Sequence, residues 1–296
     1  MSGHLDARAS RRTVLRAMAA AAVTGGLPWA RAANGKAAAR LITIGGAITE
    51  VAYALGAQDQ VVGTDTTSLF PAAAQKTPKV GYMRQLSAEG LLSLRPDAVI
   101  ATTEAGPPVV LDQLRSAGVR LELVEADHSW GEVQRKVQAV GRAAGREAQA
   151  GELQRRLDAQ WAEVQGRVRA GEGTRRKPRV LFVLSHSASP QVSGEKTAAN
   201  AVIGLAGGVN CLSGFQGYRP MTAEAMASAA PDVILTSTQS IEAHGGVERF
   251  WERPELALTP AFAKRALITQ DALLLLGFGP RLPQAIDELH RQLRAA

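Results

Sequence analysis

The sequence predicts an α/β protein of two similar lobes, each built on a central, mostly parallel sheet, joined by one long α-helix. Three observations predict it. Short β-rich runs at 41–44, 98–101, 119–124, 180–184, 233–236 and 266–268 alternate with stretches of helical periodicity, the pattern of α/β layers around parallel sheets. Between the third and fourth runs, Leu153, Leu157, Trp161, Val164 and Val168 form one apolar stripe on a helix whose other faces carry Arg155, Arg156, Glu163 and Arg167. With no proline from 146 to 169, this helix is a rod of about 36 Å. Around the rod a unit repeats: Ser87-Ala88-Glu89, six residues, Pro96-Asp97 and a strand is matched by Thr222-Ala223-Glu224, six residues, Pro231-Asp232 and a strand. Each copy reads as a hydroxyl N-cap, a short helix, a Pro-Asp turn and a strand.

In chain order, residues 1–32 come first and stand apart. Ser10-Arg11-Arg12-Thr13-Val14-Leu15-Arg16, an apolar run at 17–23, Gly25-Gly26, Pro28 and Ala30-Arg31-Ala32 read as a twin-arginine-like export signal cut after Ala32. The run is too short to span a bilayer, and no later segment reaches ~20 apolar residues, so the mature chain is expected to be soluble, outside the cytoplasm and not membrane-embedded. No Cys lies near the cut, so no lipid anchor is expected. The first lobe is expected over 33–145, the bridging helix over 146–170, ended by the polar breaker at 171–178, and the second lobe over 171–296.

Composition narrows the function. The 296 residues carry 34 Lys plus Arg against 27 Asp plus Glu, 46% apolar residues and one Cys, which excludes a disulfide scaffold, a zinc-ribbon fold and general disorder. Removing residues 1–32, with five Arg against Asp6, takes +4 from the formal +7 and leaves +3, so nucleic-acid binding has no electrostatic motive. Cys211 is expected to be a small buried hydrophobe. Enzyme motifs are missing: the sequence has no GxSxG elbow, Walker loop, HExxH, or GxGxxG after its first strand. Gly45-Gly46 before a helix could offer free N–H groups to an anion. Ligands of open α/β sheets bind at the carboxyl ends of strands, so two lobes on a rigid rod imply a cleft between them that closes only modestly.

A family resemblance rests on particular residues. Ile48-Thr49-Glu50, Leu55-Gly56-Ala57, Val62-Gly63, Val80-Gly81-Tyr82-Met83-Arg84-Gln85-Leu86-Ser87-Ala88-Glu89-Gly90 and Leu94-Arg95-Pro96-Asp97 resemble the helical-backbone periplasmic binding proteins of ABC importers, and most of all their hemin-binding branch. Leu205-Ala206-Gly207-Gly208-Val209-Asn210, Gly217-Tyr218-Arg219-Pro220-Met221 and Gly277-Phe278-Gly279-Pro280-Arg281 agree. The resemblance covers nearly the whole mature chain. It implies a periplasmic monomer that captures haem in its cleft and delivers it to an ABC permease of the inner membrane. A ferric siderophore or cobalamin carrier, or an exported haem-handling enzyme such as a chelatase, are the alternatives.

The site residues follow. Tyr82, in a loop at the expected cleft edge, can offer a phenolate oxygen to ferric iron; a packed tyrosine bonded to a backbone carbonyl is the competing reading, and the resemblance favours the ligand. Arg84 would stabilise the phenolate or pair with a propionate. Tyr218 is expected to face the cleft from the second lobe, with Arg219 a propionate contact or an ordinary solvated arginine. His186 follows the strand 180–184; the resemblance offers it as the ligand of a second haem, against a hydrogen-bonded loop histidine. Tyr53 is expected in the core, and His128, His244 and His290 as structural or surface residues. Glu89 and Glu224 suit the positive ends of their helices, yet the resemblance implies that one acid on each lobe docks with permease arginines, and these two occupy the matching positions.

Overall fold

The computed structural model describes residues 39–171, 173, 176–184 and 190–296. The export segment expected at 1–32 and the loop carrying His186 lie outside them. The first sheet comprises β1 (Leu41–Thr43), β2 (Val61–Thr64), β5 (Ala98–Thr102) and β6 (Arg120–Val124), all parallel in the order β2-β1-β5-β6. A separate hairpin pairs β3 (Gly81–Tyr82) with β4 (Gln85–Leu86). The second sheet runs β10 (Tyr218–Pro220), β8 (Gln191–Ser193), β7 (Arg179–Leu184), β11 (Val233–Ser237) and β12 (Leu267–Gln270), with β9 (Val209–Asn210) also beside β7. Within it β8 pairs antiparallel with both β7 and β10, and the other pairings are parallel. Two mostly parallel sheets are therefore observed, as expected. The runs expected from the sequence do not include β2, interrupted by Gly63, or the short strands β3, β4, β8, β9 and β10, which are too short to show a period.

The bridging helix spans Glu147–Gly171. Its stripe serves both lobes: Leu153 and Leu157 join the core of the first sheet, Val164 and Val168 that of the second. Trp161 stacks on Trp130 with ring centres 4.8 Å apart, and the Trp130 indole donates to Asp158 on the bridging helix at 2.7 Å. The helix Trp130–Ala144 is shared in the same way, Val137 and Val140 packing in the first core and Val133 in the second.

The repeat is realised atom for atom in its capping. Ser87 and Thr222 accept hydrogen bonds from the N–H groups of Gly90 and Ala225 and start the helices Ala88–Ser93 and Ala223–Ala229. Arg95 and Ala230 then turn left-handed, at φ 47° and 43°. Asp97 accepts the Arg40 N–H at 2.7 Å and Asp232 the Arg179 N–H at 2.8 Å. The same two arginines reach back with their guanidinium groups to the helix-end carbonyls of Leu94 and Ala229, both at 2.7 Å, satisfying acceptors that a helix end leaves open. In each lobe one Asp and one Arg thus tie the short helix to the start of the first strand.

An ion pair and a buried lysine join the lobes. Arg281 donates Nε and Nη2 to both oxygens of Glu50 at 3.0 and 2.9 Å, with the Phe70 ring 3.6 Å from its guanidinium carbon. Burial raises the Glu50 carboxyl above its usual range, and Arg281 opposes that rise. Lys136, 2% exposed, points its Nζ at Glu132 (2.6 Å) and at the carbonyls of Gly277 (2.8 Å) and Phe278 (3.1 Å). Gly46 permits the close approach: a Cβ there would stand 2.4 Å from the Thr67 carbonyl and 2.7 Å from Leu273. Cross-lobe contacts of this kind work against a large hinge motion.

Candidate functional site

The β3–β4 hairpin is held from behind and open in front. Gly81, at φ 103°, begins it in a backbone conformation that only glycine adopts freely. The Gly81 carbonyl accepts from Thr66, the Met83 carbonyl from Gly106, and the Leu86 N–H donates to Gly106, all at 2.9 to 3.0 Å. Met83 and Leu86 are buried in the apolar cluster with Val80, Leu91 and Ala105. The register pairs Gly81 with Leu86 and Tyr82 with Gln85, so burying Leu86 turns Tyr82 and Gln85 to the opposite, outward face, and Tyr82 is 39% exposed. Among the described residues its hydroxyl meets no backbone carbonyl. Instead it accepts from Arg84 Nη1 at 2.7 Å, while Arg84 Nη2 donates to Glu104 at 2.9 Å. Burial works against the Arg84 charge, but Glu104 and Tyr82 outweigh it and hold the guanidinium above its ordinary pKa. Glu104 lies two residues beyond the carboxyl end of β5, the kind of position where ligand groups of α/β sheets gather; that rule could have found it, and the sequence reading overlooked it.

From the other lobe Tyr218 enters. It opens β10 opposite Ser193 and is 36% exposed. Its phenol pKa is pushed up to about 12, first by burial and then by the negative charge of Glu104, with Arg84 and a hydrogen bond to Thr197 pulling the other way. Tyr218 therefore feels the charges of Arg84 and Glu104 from across the two lobes. Arg219, next along the strand and so directed to its other face, lays its guanidinium 4.5 Å over the Phe215 ring.

The remaining expected residues are placed as follows. Glu89 and Glu224 are exposed in the first turns of matching helices, and neither has a hydrogen bond or ion pair to another described residue. Tyr53 is half-buried near the end of the helix Gly46–Ala54 rather than in the core, because that helix buries its earlier turns. The free N–H groups expected at Gly45 and Gly46 are occupied, the first by the buried Asp65 carboxylate at 2.9 Å and the second by the Thr67 hydroxyl at 3.0 Å, so no anion seat remains. His128 packs on Phe278 at 5.4 Å, and His244 and His290 bond the carbonyls of Ser240 and Ala206. Among the described residues no group of three or more His, Cys, Asp or Glu could hold a free metal ion, and no helix is long and apolar enough to cross a membrane. A surface hollow of about 420 Å³ lined by Val247, Trp251, Arg265 and Leu267 lies by β12, at the opposite edge of the sheet from Tyr218.

The fold and the paired-lobe arrangement are those of a substrate-binding component. The chain matches the periplasmic binding protein family over residues 41–273 and belongs to it. It is similar to the periplasmic heme-binding protein BhuT solved in complex with two hemes, at 45% identity and a TM-score of 0.83, over 87% of this chain and 98% of that one. The periplasmic heme-binding protein RhuT from Roseiflexus sp. RS-1 matches at 37% identity and a TM-score of 0.81, again over 87% and 98%. A vitamin B12-binding protein of Pectobacterium carotovorum is 25% identical over 258 residues, 86% of this chain and 88% of that protein.

Proposed function

We propose that the chain is a periplasmic haem carrier that captures its cargo between the lobes and delivers it to an ABC permease. The observation that carries this reading is Tyr82: an outward phenol whose oxygen already receives a charged donor, Arg84, at 2.7 Å. Haem iron in its ferric state is a hard Lewis acid, and a phenolate is a ligand suited to it. On binding, the phenol proton leaves to solvent, the oxygen takes the iron, and Arg84 stabilises the charged form of the oxygen. The high identity to BhuT supports the same cargo, and the binding proteins among its relatives support carriage without turnover. Tyr218 forms the facing wall and His186 serves a second haem; Arg219, stacked on Phe215 on the other face of β10, is not assigned to a propionate. Glu89 and Glu224 dock on cationic residues of the permease, one per lobe, with a single carrier copy bound. Export follows the signal at 1–32, with the lobes bounded at 145 and 171.

The test is an optical titration of the purified chain with hemin. The native chain is expected to give a saturable complex with a phenolate-type ferric spectrum, and Tyr82→Phe to weaken binding and change that spectrum. An unchanged spectrum and affinity in Tyr82→Phe would remove Tyr82 from the iron. The likeness to a vitamin B12-binding protein favours one other reading, cobalamin carriage; saturable binding of cyanocobalamin with no response to hemin would establish that instead.

A further inference from the structure

Tyr82 and Tyr218 are exposed phenols, one on each lobe, and the structure holds a group that treats them differently. Glu104 comes from the turn after β5. Toward Tyr82 it acts through Arg84. That arginine sits in the Met83-Arg84 turn of the hairpin on a long side chain, half exposed, and its hydrogen bonds among the described residues go only to Tyr82 and Glu104. An unanchored arginine side chain samples many rotamers. The bond from Nη2 to Glu104 fixes the guanidinium plane and leaves Nη1 aimed at the phenol oxygen. Toward Tyr218 the same carboxylate acts through space, its negative charge opposing a phenol that would have to become negative to bind iron.

We propose that Glu104 is a positioning residue that directs ferric haem to Tyr82 and away from Tyr218, by holding Arg84 against the first phenol and presenting its own charge to the second. The proposal rests on the haem-carrier reading above and adds to it a residue that need not touch iron. The high phenol pKa of Tyr218, to which Glu104 contributes, agrees with the arrangement.

The experiment compares ferric hemin complexes of the native chain, Tyr82→Phe, Glu104→Gln, Glu104→Asp and the double variant Glu104→Gln/Tyr82→Phe, by absorption and by resonance Raman detection of iron-phenolate modes. Glu104→Gln should weaken hemin binding about tenfold through the loosened Arg84 and alter the phenolate bands, and Glu104→Asp, which keeps the charge, should return most of the native spectrum. The double variant should regain phenolate modes that Tyr82→Phe lacks, now from Tyr218, and a further Tyr218→Phe change should remove them. Native bands and affinity in Glu104→Gln, together with a double variant identical to Tyr82→Phe, would overturn the role of Glu104 while leaving the haem reading intact. A native chain without phenolate modes, or a Tyr82→Phe chain that keeps them, would overturn the haem ligand and this inference with it.

Discussion

Lys136 provides the most demanding test of how the lobes are joined. It stands on the helix Trp130–Ala144 of the first lobe, is 2% exposed, and spends its three protons on Glu132 and on the carbonyls of Gly277 and Phe278 of the second lobe. Lys136→Met keeps the length and removes the charge. What remains is a buried Glu132 carboxylate still bonded to the His128 N–H at 2.7 Å but without its cation, and two carbonyls without their donor. Removing one partner of a buried pair costs ~3–5 kcal/mol, and each orphaned carbonyl up to ~1–3 kcal/mol where water cannot follow. These costs overlap, so a loss of about 4 kcal/mol is expected. Replacing both members, as Lys136→Met/Glu132→Leu, removes the stranded charge and should recover about half of it, the carbonyls and the His128 N–H staying unpaired. Equilibrium urea unfolding followed by tryptophan fluorescence measures both values. A single variant within about 1 kcal/mol of the native chain, or a double variant no more stable than the single, would refute the reasoning.

Arg281→Met should destabilise the chain by about 3 kcal/mol at neutral pH by stranding Glu50. Burial already raises the Glu50 carboxyl above 4.5, so folding favours its neutral form; the variant's deficit should be full above the raised pKa and shrink as pH falls toward and below 4.5, where folded and unfolded chains are both protonated. Urea midpoints at both ends of that window check it, and an equal deficit throughout would count against the buried pair. The Cys211 thiol, pushed up to about 12 mainly by burial, should not react with a disulfide reagent at pH 8 until the chain unfolds; labelling of the native chain at the rate of free cysteine would contradict its placement. Glu89→Lys/Glu224→Lys should abolish haem-dependent growth of cells relying on this carrier while hemin affinity stays native, and normal growth would remove the docking role.

The alternation of strands and helices, the bridging rod and the repeat were legible because each is a local pattern. Helix limits shifted by only a residue, since Gly171 and the residues after it stop a helix for local reasons. Tyr82 was legible as a candidate because glycines and a proline flank it, but the hairpin that turns it outward was not: a two-residue strand carries no period, and its hold depends on Gly106 and Thr66 from other segments. The misreading of Gly45-Gly46 has the same origin, since Asp65 fills that seat from twenty residues away. Pairs such as Glu50 with Arg281, 231 positions apart, leave no trace in a single sequence. Arg40 and Arg179 were closer to view, each standing at the start of its lobe's first strand, but the repeat was traced only through helix, turn and strand, and the matching arginine lies outside that window.

The cross-lobe pinning by Glu50–Arg281 and Lys136 also bears on traffic. A container whose two shells are bolted together keeps nearly one silhouette, empty or full, so whatever receives it cannot sort arrivals by outline. Sorting would have to come from the rim of the cargo showing at the mouth, and vacant containers would compete for the same berth whenever cargo is scarce.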